Sequence, residues 1–202
     1  MKKRIEQITP RLLAIGILLE VLVLVAAWLE SGGATAPFFQ ASARLSGRVS
    51  VLFFSVLLIY ATLHPGFERK SNEYRTKYIL FRDFAVIHII HWFLLATSVY
   101  LTQFEILPIR LAGGVIAYVL VGVMPWLMTQ ANTSFATLTA VQATYMFWVW
   151  LVFSMTYTAR LSGSTPVHTG SPASWWPFFI WLIGLIFWRS YMLLRQNWVT
   201  KK

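Results

Sequence analysis

Four ionisable side chains of this 202-residue chain are read at membrane depth in its long apolar stretches: Glu20, His64, His88 and His91. Such groups are costly at membrane depth, so each is a candidate for chemistry. His88 and His91 are three apart in Phe84-Ala85-Val86-Ile87-His88-Ile89-Ile90-His91, a spacing that puts both on similar faces of a helix, one turn apart, pointing into one site. Neutral imidazole ligates haem iron, zinc or copper. The chain has no cysteine, which removes thiolate chemistry, iron-sulfur clusters and Cys-type zinc sites. Redox work would need a cofactor, and b-type haem is the first metal candidate, held by His88 and His91. Hydrogen bonding across a bundle, proton handling and another metal stay open on spacing alone. Four histidines are too few for a histidine-rich di-iron hydroxylase. Glu20 is read as an interhelical hydrogen-bonding group or as a proton or cation step.

The elements that must position these residues follow from composition. Apolar residues make up 57% of the chain and charged ones 12%, a balance that calls for lipid as the main solvent. Runs of about 20 apolar residues, enough to cross a bilayer core of about 30 Å, lie at about 12–30, 46–64, 83–103, 109–129, 139–159 and 175–194. The expected fold is all-α, an integral membrane bundle of six transmembrane helices forming one domain over 1–202. Continuous apolarity argues against a β-barrel. The basic start Met1-Lys2-Lys3-Arg4 is not read as a secretory signal, because the apolar run after it exceeds a signal core of about 7–15 residues.

The net charge of +10 follows the membrane and does not call for nucleic acid. With both termini cytoplasmic, the inside collects the lysines and most arginines, and the outside keeps only Arg44, Arg48, Arg110 and Arg160. That bias sets the orientation and fits a bacterial inner membrane. Helix two then ends, and helix three starts, on the cytoplasmic side, so His64 is expected near the depth of His88 and His91, three imidazoles sharing the inner leaflet.

The first outer loop is expected over 31–43 and the most charged connection over 65–77, which reads as a cytoplasmic docking surface. The connection 131–138 has no charge, and the longest outer loop, about 161–174, carries His168. Asp83 and Glu105 are expected at helix ends within reach of water. Trp175-Trp176, Trp28, Trp126, Trp188 and Trp198 read as interfacial anchors. Ala112, Gly113, Gly114, Ala117 and Gly122 read as a close-packing face. Gly32-Gly33 and Gly113-Gly114 make no phosphate-binding fingerprint, so the chain has no flavin or nicotinamide site of its own.

Ala43-Arg44-Leu45-Ser46-Gly47-Arg48 resembles the Arg-x-x-Gly entry to the second helix of the ferric reductase-like transmembrane family. Arg82 to His91 is similar to that family's Phe-Ala-x-x-His-x-x-His third helix, and Thr133-Ser134 with Tyr145, Trp150, Phe153, Tyr157 and Arg160 is similar to bacterial members around helix five. The resemblance implies transmembrane electron transfer through b-type haem with axial histidines on helices three and five. Helix five here has no histidine, and Gln142 stands where that ligand is expected. A second haem would need ligands near 101–105 and 155–156, and no histidine is there either, so at most one haem is expected.

Two functions follow as expectations. The first is a single-haem electron-transfer subunit, with His88, His91, His64 and Gln142 as candidate haem contacts, fed by a separate cytoplasmic flavoprotein or by quinol. The second is a haem-free membrane scaffold or accessory subunit whose histidines and Glu20 make polar contacts inside the bundle.

Overall fold

The computed structural model describes residues 2–103, 108–162 and 174–199. Glu105, His168 and most of the loop that carries His168 lie outside the described residues, as do Lys201 and Lys202. Six helices occur among the described residues: α1 (Lys2–Ser31), α2 (Thr35–Leu63), α3 (Asn72–Thr102), α4 (Pro108–Thr129), α5 (Phe135–Leu161) and α6 (Trp176–Val199). Each has a span long and apolar enough to cross a bilayer. The chain is an integral membrane protein of the all-α class, with lipid as the solvent of its outer surface.

Two helices start earlier than their apolar runs. α2 begins at Thr35, not near 46, and α3 at Asn72, not near 83. Residues 35–43, expected as loop, are therefore helix, and the turn before them is tight: Gly32 and Gly33 take positive φ of 59° and 86°, the region glycine enters without steric cost. Pro37 falls in the first turn of α2, where its missing N–H costs nothing. At the other early start the Ser71 hydroxyl accepts from the Tyr74 amide at 3.0 Å, an N-cap that satisfies an orphan donor.

α2 packs on α3 and α6, α3 on α4, α4 on α5, and α5 on α6, so α2 to α6 close into a circle; α1 packs on α2 and α3. On α1, Gly16, Glu20, Val23 and Ala27 turn inward, while Leu18, Val21, Leu22, Val25 and Leu29 are exposed to lipid. That is a 3.6-residue period in a helix apolar on nearly every face. Gly16 is where α1 comes closest: a Cβ there would lie 2.7 Å from both Ile87 Cδ1 and Phe53 Cζ.

The end of the bundle that carries both termini is fastened by polar bonds. Arg69 donates to the Thr133 carbonyl at 2.7 Å, Tyr74 Oη to the Met128 carbonyl, and Lys77 Nζ to the Gly66 carbonyl at 2.6 Å, its ammonium 4.1 Å from the Phe67 ring centroid. Arg189 donates to Thr62 Oγ1 at 2.9 Å and Gln196 to the Thr62 carbonyl at 3.2 Å, which serves the last, unpaired carbonyls of α2. Arg69 brings to the charge-free 131–138 connection the positive charge its own sequence lacks. Within the 65–77 connection expected as a docking surface, Arg69 and Lys77 bond to carbonyls of the chain as above, while Lys70 and Arg75 are exposed; just beyond it Arg82 pairs with Asp83 at 2.7 Å.

Candidate functional site: a histidine and arginine chamber

Inside the circle, the half nearer the termini is filled. Phe54, Leu57, Leu58, Phe81, Phe84, Leu138, Tyr145 and Met146 are all buried there. The opposite half is less filled, because four of the positions that face inward there are small: Ala43 and Gly47 on α2, Gly114 and Ala117 on α4. They leave a chamber of about 200 Å³ between α2, α3, α4 and α5, with Trp175 at its edge. A Cβ on Gly114 would meet nothing within 4 Å. The small residues of α4 therefore make room more than they bring a neighbour close, which corrects the packing reading for Gly113, Gly114 and Gly122.

His88 and His91 both line this chamber. Their ring centroids are 5.5 Å apart and tilted by 32°, as the i, i+3 spacing requires. His88 is held flat between two rings, Phe84 at 5.1 Å and Tyr118 at 4.7 Å, with interplanar angles of 17° and 18°. His91 faces Gly47, where a Cβ would come within 3.2 Å of its Cε1. Glycine at 47 is thus what gives the His91 ring its place. Neither Nδ1 has a hydrogen-bond partner.

The other candidates are elsewhere. His64 is the C-cap of α2, its ring 4.5 Å from that of Tyr60 and tilted by 32°, about 25 Å along the helix from Gly47 at 1.5 Å per residue. It does not share the depth of the other two, and the expected three-imidazole cluster does not form. Gln142 is buried, with Oε1 unpartnered, but it lies about 16 Å along α5 from Phe153, the α5 residue that packs on His88. Asp83, expected at a wet helix end, is fully buried because α3 starts eleven residues before it; Oδ1 accepts from Arg82 and Oδ2 has no partner. Glu20 sits on the α1–α2 seam, where Ser46 donates to its Oε1 at 2.9 Å and Oε2 is unpartnered.

The residues missed by reading for histidines are the arginines. Arg44 and Arg160 line the chamber, and Arg48 stands one turn from Arg44 on α2. Arg44 pairs with Glu30 of α1 and is 7% exposed. Arg48 and Arg160 have aromatic faces for company: both guanidiniums lie over the Trp175 ring, at 4.9 and 4.4 Å, and Arg48 also over Phe178 at 5.5 Å. Arg48 donates one further bond, to the Ser174 carbonyl at 3.4 Å. Trp175 is therefore buried beneath two cations, not an interfacial anchor; Trp176 beside it is exposed, as are Trp28, Trp126 and Trp198. A sequence signal for the cluster existed: these are three of the four positive residues on the side the charge bias disfavours.

The chamber is a poor match to a six-coordinate haem. Axial ligands must approach iron from opposite faces of the macrocycle, and two imidazoles on adjacent turns of one helix stand on one wall, with α3 itself filling the space a plate between them would need. Among the described residues no third imidazole or cluster of metal-ligating side chains stands opposite. The volume is also below the roughly 300–1,000 Å³ of pockets for ligands of drug size. Comparison with known proteins finds no matching family model, no matching curated protein and no matching solved structure.

Proposed function

We propose that this chain is a haem-free membrane subunit of the scaffold or accessory kind, whose working site is the chamber at the end away from the termini. The observation that carries the reading is the placement of His88 and His91 on one wall. His88 is packed flat between rings, and what stands across from His91 is Gly47, not a second ligand. In this reading His88 is part of the wall, while His91, Arg44 and Arg160 meet whatever enters. The lysine and arginine bias supports an orientation with the termini in the cytoplasm and the chamber in the outer half of the membrane, which in a bacterial inner membrane is the periplasmic side.

A second reading keeps the resemblance to ferric reductase-like proteins: His91 would hold one b-type haem, which would supply electron transfer, with a cytoplasmic flavoprotein or quinol as donor. The unpartnered Nδ1 of His91 beside a glycine favours it. A dithionite-reduced minus air-oxidised spectrum of purified protein, expressed with ample haem and assayed as pyridine haemochrome, separates the two. A colourless protein is expected. Near-stoichiometric b-type haem that disappears in His91→Ala would replace the first reading by the second.

A further inference from the structure

We infer that the chamber binds a small organic carboxylate through Arg44 and Arg160, an inference that rests on the haem-free reading above. The first ground is unsatisfied chemistry. Arg44 is more than nine-tenths buried and its Nε has no hydrogen-bond partner; Arg160 Nη1, His88 Nδ1 and His91 Nδ1 are likewise buried and unpartnered, and all four residues line the same cavity. Buried polar atoms without partners are uncommon in folded proteins, and four of them around one cavity call for a bound group to explain them.

The second ground is charge. Three guanidiniums gather at this end, and among the described residues only Glu30 forms an ion pair with them. Arg48 has the Trp175 and Phe178 faces and one bond to the Ser174 carbonyl, and Arg160 the Trp175 face; ring faces and a carbonyl are weaker partners for a guanidinium than a carboxylate. Cations inside a membrane bundle are costly unless paired, and an anion between them is the pairing this end lacks.

The third ground is size and wall chemistry. At about 30 Å³ per water, a chamber of about 200 Å³ admits roughly six or seven non-hydrogen atoms. Leu95, Ala117, Val152 and Phe153 supply apolar walls beside the cations, so the fitting ligand has a charged head and a short apolar body. A planar carboxylate suits the guanidinium fork, which can donate two parallel bonds to it.

The test uses the full chain in detergent micelles, with butyrate as probe, butyramide as its uncharged counterpart and inorganic phosphate as the compact anion. Haemochrome is measured on the same sample, so that haem in the protein counts against the haem-free reading and not against the ligand assignment. Trp175 under the two arginines is the reporter. Butyrate is expected to change tryptophan fluorescence saturably and raise the melting temperature, with butyramide inert. Arg160→Gln is expected to weaken binding at least tenfold. Gly114→Leu, whose new side chain enters open space without a clash at Cβ, is expected to abolish binding while the protein still melts cooperatively. Equal responses to butyrate and butyramide, binding unchanged in both variants, or a response to phosphate alone in a colourless protein would each overturn the assignment.

Discussion

Three glycines that face into the bundle offer a graded test of how it is packed, because the same substitution meets three different surroundings. In a helix interior, glycine to alanine is worth about 1 kcal/mol of propensity. At Gly114 the new methyl meets nothing within 4 Å, so Gly114→Ala should keep that gain, about 0.5–1 kcal/mol of stabilisation. At Gly47 it lands 3.2 Å from His91 Cε1 and 3.7 Å from Nε2. The imidazole must yield by a few tenths of an ångström, and an overpacking cost of about 1–3 kcal/mol cancels or reverses the gain. At Gly16 it lands 2.7 Å from two side chains on two different helices. Both must move, so Gly16→Ala should be the most destabilising, by about 1–2 kcal/mol net. Unfolding by SDS in mild micelles, followed by the fluorescence of the ten tryptophans, gives the order directly. If Gly47→Ala stabilises as much as Gly114→Ala, then residue 47 is not confined by His91 and does not form that wall of the chamber.

Arg69→Ala should cost about 1.5–3 kcal/mol, the worth of a hydrogen bond from a charged donor, since it releases the Thr133 carbonyl. Amide exchange should accelerate over 130–138, and unchanged exchange there would mean that the contact does not hold the connection. Orientation can be read by labelling, because the chain has no cysteine of its own. Single cysteines at Ala34 and Lys70, both exposed and at opposite ends of α2, should react differently with a membrane-impermeant maleimide in intact cells: Ala34→Cys before lysis and Lys70→Cys only after it. The reverse pattern would put the chamber on the cytoplasmic side.

Much of the bundle was legible because lipid imposes a single demand, about 20 apolar residues per crossing, and six stretches meet it. The pairing of His88 with His91 was legible too, since it depends only on helical spacing within one element. What spacing within an element cannot give is the depth of one helix against another. His64 and His91 are on different helices, and an apolar run does not say where its helix begins. α3 takes in the polar turns from Asn72, which moves His88 to mid-helix and His91 beyond it, away from the end where His64 caps α2.

The hidden helix start of α2 and the overlooked arginines have one cause. A search for apolar stretches assumes that polar residues mark the edge of the membrane, and it cuts α2 where Gln40, Ser42, Arg44, Ser46 and Arg48 crowd together. Those residues are polar because this part of α2 is turned to its neighbours and not to lipid: Ser42, Ser46 and Arg44 are buried, Ser46 serving Glu20 and Arg44 serving Glu30. Polarity facing inward can offset the cost of burial through partners, as Ser46 and Arg44 do, and polarity facing water marks a boundary; the sequence spells both with the same letters. A polar segment beside an apolar run, on the side where positive charge is disfavoured, is therefore better read as the continuation of the helix and the wall of a site. Here that rule recovers both the start of α2 and two of the three arginines at the chamber.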